Sequence, residues 1–284
     1  MNLDQAYARC EEITTAQARN FSYGIKLMPR DKRRAMSALY AMARRIDDIG
    51  DGDAPVPDKL TALAGARKDI AALAAATADA GDDPVLVALA DVRQRFPIPL
   101  SAFDELIDGC EMDVHGTTYR TFDELVGYCR RVAGSIGRLS LGVYGTQDLD
   151  RAEPLADALG VALQITNILR DIVEDRDAMG RVYLPEEDRD RFGVADDLRG
   201  PPDALMALIT FEVARAETWY DEGLALLPML DWRSRACTAA MAGIYRRVLL
   251  RIQRDPAAVL RGRISLSGPE KLAVAVRALV KGQA

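Results

Sequence analysis

Acids and amides stand on two segments where helices would otherwise carry core. At about 100° per residue from Met36, the side chains of Tyr40, Ala43, Asp47 and Asp51 fall at about +40°, −20°, +20° and +60°. Two acids therefore extend an apolar stripe. From Gly160, the side chains of Gln164, Asn167, Asp171 and Asp175 fall at the same four angles. This second stripe is polar throughout and is flanked by Leu163, Ile168 and Ile172, so it must face water, a partner or a cavity inside the fold. A solvated face is the ordinary account of either run alone. Two runs of one geometry, one of them carrying amides, argue instead for a shared site.

Carboxylates one turn apart, on two helices facing each other, repel and raise one another's pKa unless cations neutralise them. Magnesium suits such a set better than calcium or zinc, because it takes a few carboxylates, keeps waters and completes its octahedron with phosphate oxygens. Arg44, Arg45, Arg170 and Arg181 lie near the acids in sequence and can hold further phosphate oxygens through bidentate contacts. A di-metal hydrolase would also gather acids, but such sites usually recruit histidine. The only histidine is His115, and its place before Gly116-Thr117-Thr118 reads as a helix end.

The segments that must position these residues read as helices. Apolar spacing at i, i+3, i+4 and i+7 predicts helices near 3–18, 31–50, 58–78, 84–94, 100–115, 122–145, 152–177, 204–228, 232–253 and 269–281. Asp51-Gly52-Asp53-Ala54-Pro55, Phe96-Pro97-Ile98-Pro99 and Arg199-Gly200-Pro201-Pro202 predict breaks, since Pro removes a helix donor and Gly favours turns. The alanine-rich stretch from Ile70 to Ala80 reads as a helix packed closely on a neighbour. No strand-like alternation competes. With 49% hydrophobic and only 6% aromatic residues, and no linker-like stretch, the chain is expected to be all-α and a single domain over 1–284.

A formal charge of −6 argues against general affinity for nucleic acid, so an anionic substrate would need a local basic pocket or a metal. No apolar run reaches the roughly 18 residues of a spanning helix, and the opening MNLDQAYARCEE is too polar for a signal peptide. A cytoplasmic location is expected. Cys10, Cys110, Cys129 and Cys237 lack metal-site spacing and read as structural thiols.

Three segments stand in order along the chain: Ala38-Leu39-Tyr40-Ala41 with Arg44 through Asp51; Tyr128-Cys129-Arg130-Arg131-Val132-Ala133-Gly134-Ser135-Ile136-Gly137; and Gln164 through Asp175, followed by Arg181-Val182-Tyr183-Leu184-Pro185. With them the chain resembles the squalene/phytoene synthase family, from Ala18-Arg19-Asn20-Phe21-Ser22-Tyr23-Gly24 to Arg261-Gly262-Arg263. The resemblance implies an isoprenoid-synthase helical bundle with a central cavity. It implies that Asp47, Asp51, Asp171 and Asp175 hold more than one magnesium ion, bridging carboxylates and diphosphate, with Asn167 as a metal or water ligand. Tyr40, Arg44, Gln164 and Tyr128 match positions that look toward the diphosphates, while Phe21, Tyr245 and Arg263 match in looser motifs. The sequence departs from the family pattern at Asn20, where serine is usual, and at Ser135, where an apolar residue or threonine is commoner.

The chemistry so implied is metal-assisted ionisation of one prenyl diphosphate to an allylic cation, attack by the double bond of a second, and proton loss to close a cyclopropane. Tyr128 is a candidate for helping that proton transfer, and the released diphosphate is the other candidate. The cation needs protection from water, for which Val132, Ala133, Ile136, Gly137, Leu159, Gly160 and Leu163 are suitable walls. Cys10-Glu11-Glu12-Ile13-Thr14 and the Ala18 to Gly24 segment look most like bacterial presqualene-diphosphate synthases. That likeness implies two farnesyl diphosphates as substrates, a halt at presqualene diphosphate, no NADPH, and work at the membrane surface without crossing it. The alternatives are condensation of geranylgeranyl diphosphate to phytoene, a full NADPH-dependent squalene synthase, or a helical assembly factor of this fold without catalysis. The four acids and Asn167 argue against the last.

Overall fold

The computed structural model describes residues 1–18, 20–76 and 81–284, and among them all regular structure is helical. Arg19 and residues 77–80, with the expected helix end at 78 and the end of the alanine-rich stretch, lie outside the described residues. The first half comprises α1 (Leu3–Gln17), α2 (Phe21–Ile25), α3 (Arg30–Asp51), α4 (Val56–Ala74), α5 (Pro84–Arg95), α6 (Ser101–Val114) and α7 (Phe122–Cys129). The second comprises α8 (Ser135–Tyr144), α9 (Leu149–Met179), α10 (Glu186–Phe192), α11 (Pro202–Gly223), α12 (Trp232–Arg254) and α13 (Gly268–Lys281).

All three expected Gly/Pro breaks separate helices. The expected helix over 122–145 is α7 and α8 joined by one π-helical turn, Arg130–Gly134, a local widening often found at functional sites. The expected helix over 204–228 ends at Gly223 and continues as a 3-10 segment, Leu224–Met229. Helices α2 and α10 were missed because five and seven residues are too few for a periodicity to show. Helix α9 begins three residues before the expected start, where the Asp148 side chain accepts from the Arg151 amide, and it ends where Gly180 turns left-handed at φ 64°.

Two apolar cores flank the middle of the molecule. One joins α1, α3, α4, α5, α6 and α8; the other joins α7, α9, α11 and α12. On α3, Ala35, Ala38, Met42 and Ile46 are fully or almost fully buried. Burial of side chains the size of Met42 and Ile46 contributes roughly 1.5–3 kcal/mol each, which offsets the cost of keeping a carboxylate on the same helix away from water. The cores meet closely because two crossings lack side chains. A Cβ on Gly160 would stand 2.7 Å from backbone atoms of Ala133 and Gly134, and one on Gly137 would stand 2.8 Å from the Ala156 carbonyl oxygen. Among the described residues no helix is long and apolar enough to cross a membrane.

Candidate active site

A cavity of about 220 Å³ lies between the two cores. All seven expected wall residues line it: Val132, Ala133, Ile136 and Gly137 on the π turn and α8, and Leu159, Gly160 and Leu163 on α9. Helix α8 runs antiparallel to α9, since Ala133 lies against Gly160 whereas Gly137 lies against Ala156. Lys32, at the start of α3, donates to the carbonyl of Tyr144 at the end of α8 (2.6 Å), so α3 runs from the far end of the cavity toward its acids. Met36 to Asp47, both lining residues, spans about 16 Å of helix rise. The cavity is thus a long apolar slot with one polar end, where Tyr40, Arg44 and Asp47 of α3 meet Gln164 and Asn167 of α9. Phe21 also lines it, its ring 6.4 Å from that of Tyr40 and 5.6 Å from that of Tyr245.

The four acids divide by environment. Burial, reinforced by Asp51, pushes the Asp47 carboxyl up to about 7, and burial with the neighbouring Asp171 pushes Asp175 up to about 7. The other member of each pair is held by arginine. Asp51 accepts from Arg181 Nη1 at 2.7 Å, and Arg181 also reaches the Gly50 carbonyl. Asp171 is gripped by both donor edges of Arg170 and by Arg263 Nε at 3.1 Å. Arg263 extends to Glu174 at 3.6 Å. Arg170 itself is buried beneath the Tyr245 ring, its guanidinium 6.0 Å from the ring centre. The backbone amide of Arg181 donates to the carbonyl of Asp175, so this residue ties the end of α9 to the end of α3.

Tyr128 lies outside the cavity lining. Its hydroxyl donates to Asp113 Oδ2 (2.8 Å), and the Tyr183 hydroxyl donates to Oδ1 of the same carboxylate (2.9 Å). Burial raises the Tyr128 hydroxyl far above its ordinary range and also raises Asp113, with Arg181 opposing the latter shift. Asp113 and Tyr183 are additions to the expected site. Tyr183 sat inside a recognised segment, but Asp113 carries no local signal, because only the packing of α6 against the π turn brings it to Tyr128. Cys110, one turn before it, approaches Asp47 Oδ1 at 3.8 Å. His115 caps the end of α6, as expected.

One sequence expectation is corrected. Arg45 does not serve the cavity: one position beyond Arg44 it points a quarter-turn away and pairs with Asp83 (2.8 Å), the residue capping α5. Ser135 also lies off the cavity lining: it is fully buried at the start of α8, and its hydroxyl donates to the Arg131 carbonyl in the π turn. Its departure from the family pattern concerns the π turn.

Among the described residues no three Asp, Glu, His or Cys side chains converge closely enough to hold an ion as they stand. The donor chemistry nevertheless fits magnesium. Asn167 donates through Nδ2 to Gln164 Oε1 (3.4 Å), while its Oδ1 is buried with no partner among the described residues. A buried acceptor left unpaired costs about 1–3 kcal/mol, and a hard cation with oxygen ligands would relieve it. Arg44 pairs with Asp48, but its Nε is buried with no partner among the described residues, which suits an anion arriving at the same end.

The squalene/phytoene synthase family model matches residues 14–270. Phytoene synthases of Mycobacterium tuberculosis and Mycobacterium bovis are each 50% identical over 283 residues, covering 98% of this chain and 91% of theirs. A crystal structure of a dehydrosqualene synthase superposes with a TM-score of 0.89 at 29% identity, covering 97% of this chain and 95% of that one. The squalene synthase HpnC of Alicyclobacillus acidocaldarius gives 0.81 at 32% identity, covering 89% and 94%. The bundle is the all-α isoprenoid-synthase fold, and the chain belongs to the squalene/phytoene synthase family.

Proposed function

We propose that the chain condenses two prenyl diphosphates head to head with the help of magnesium. The observation that carries this reading is the junction of an apolar slot with an acid-and-amide end, where the acceptor Asn167 Oδ1 and the donor Arg44 Nε are both buried with no partner among the described residues. Asp47, Asp51, Asp171, Asp175 and Asn167 would hold magnesium, which supplies charge to the departing diphosphate. Tyr40 and Arg44 bind that diphosphate from α3, and Gln164 orients Asn167. Arg181, Arg170 and Arg263 exchange carboxylate partners for diphosphate oxygens, so that acids, cations and substrate form one balanced set. The carbon–oxygen bond of the first substrate breaks with its electron pair leaving on diphosphate. The double bond of the second attacks, and a proton departs as the cyclopropane closes. The released diphosphate takes that proton, because Tyr128 lies outside the cavity lining with its own hydroxyl proton donated to Asp113, and the apolar walls exclude water from the cation.

For substrate length, the half-identical relatives named phytoene synthase favour geranylgeranyl diphosphate. The fit to a dehydrosqualene synthase and a squalene synthase supports the farnesyl reading made from the N-terminal segment, with a halt at presqualene diphosphate as its finer form. Incubation with each diphosphate and magnesium, with and without NADPH, and extraction before and after phosphatase treatment separates these. A forty-carbon hydrocarbon made only from the geranylgeranyl substrate supports the first reading. A thirty-carbon alcohol appearing only after phosphatase supports the second, and squalene formed on adding NADPH excludes the halt.

A further inference from the structure

Among the described residues, nothing covers one face of helix α13. Leu272, Val276 and Val280 are 56%, 51% and 77% exposed. With Leu279 they occupy an arc of about 100° on the helix. Val274, Ala275 and Ala278 take the packed side, and Arg277 and Lys281 follow the exposed apolar arc on its other flank. The helix is therefore three-sided: packed, apolar and exposed, then basic.

This face continues into a surface groove against α2, where Tyr23, Lys26 and Leu27 meet Leu272, Val276 and Leu279. The opposite side of α2 belongs to the active site, since Phe21 and Ile25 line the central cavity. A Cβ on Gly24 would stand 2.8 Å from the Cys237 carbonyl oxygen, so α2 sits directly on α12. One helix of five residues thus separates the apolar cavity from the apolar groove. Beside the groove, Arg233 donates to the Leu27 carbonyl (2.9 Å) and lies over the ring of Trp232, itself 58% exposed.

The charges identify the partner. With a formal charge of −6 the chain as a whole would be repelled by an anionic surface, yet this face is basic. Lys26, Arg277 and Lys281 are exposed around it, and Glu270, the only acid of α13, is paired with Arg251. Exposed aliphatic residues, an exposed tryptophan and a basic rim match the interfacial zone of an anionic bilayer. We propose that the α2–α13 face docks on an anionic lipid surface, which places the cavity one short helix away from the bilayer. The docking is independent of the proposed reaction; its usefulness rests on the cavity's being a prenyl site.

Flotation of the purified chain with vesicles, without substrate, tests this. The wild type should float with equal parts of phosphatidylglycerol and phosphatidylcholine and much less with phosphatidylcholine alone. Arg277→Glu with Lys281→Glu, and separately Leu272→Ser, Val276→Ser and Val280→Ser together, should each lower the bound fraction about tenfold. Helical circular dichroism should be kept, and if the triple variant misfolds the charge-reversed pair decides. Wild-type protein that does not float, or variants that float equally, would overturn the proposal. So would a wild-type dimer that the triple variant converts to monomer, because the face would then belong to a second copy. Since no substrate is present, failure here is distinct from failure of the proposed reaction.

Discussion

The two acid pairs have the same spacing and the same angles on their helices, yet the fold treats them in opposite order. On α3 the inner acid, Asp47, is partly buried and among the described residues has no ion-pair partner, Arg44 acting on it only without direct pairing, while the outer, Asp51, holds Arg181. On α9 the inner acid, Asp171, is held by Arg170 and Arg263, and the outer, Asp175, is pushed up to about 7. Each pair thus presents one paired carboxylate and one whose charge is uncompensated by a direct partner. A cation would find a complementary acid on each helix. The difference teaches that a repeated motif fixes where carboxylates stand but not how they are charged, which neighbouring elements decide.

The strongest way to break this comparison is to neutralise the uncompensated acids. Asp47→Asn and Asp175→Asn should lower turnover by about 10²–10³-fold, the range typical of losing a preorganised electrostatic contact. Their thermal midpoints should hold or rise, because a costly buried charge is removed; a lower midpoint with retained turnover would show a structural role. Arg181→Leu should cost about 10–100-fold, consistent with loss of hydrogen bonds to charged groups at roughly 1.5–3 kcal/mol, and should lower the midpoint by untying α3 from α9. Steady-state kinetics and thermal melts check both.

A pH series sharpens the comparison. Asp47 and Asp175 titrate near 7 in the folded chain but near 3.8 when unfolded. Between these values the folded state binds more protons, so stability is greatest at the acid end of the window and falls as pH rises through about 7. Metal-free protein should melt several degrees higher at about pH 5.5 than at about pH 8. Magnesium with inorganic diphosphate should raise the midpoint more at the higher pH, where the carboxylates are free of protons. An increase confined to the lower pH would contradict the assignment. The smallest effect is expected at Ser135: Ser135→Ala should leave turnover within about twofold, since this hydroxyl bonds only the Arg131 carbonyl of the π turn and lies off the cavity lining.

Most of this site was legible in sequence because its residues recur on single helices. The stripe from Gln164 to Asp175 and the walls from Val132 to Gly137 and Leu159 to Leu163 needed only helical geometry to be placed on one face. Asp113 was invisible, because its partners Tyr128 and Tyr183 lie on other elements and no periodicity joins them. Arg45 misled for the converse reason: nearness in sequence to Asp47 counts for little when one helical step turns a side chain toward α5. The π turn also escaped notice, since one widened turn barely alters apolar spacing, although it sets Tyr128 and the cavity wall at their relative angle.

The most direct test of the central claim is release of diphosphate from farnesyl and geranylgeranyl diphosphates by the wild type and Asp171→Asn, each assayed with magnesium and with a chelator. Release should require magnesium, proceed with at least one of the two substrates, and fall by about 10²-fold or more in Asp171→Asn. Release that persists with the chelator, full activity in the variant, or no release from either substrate by folded wild-type protein would contradict the account.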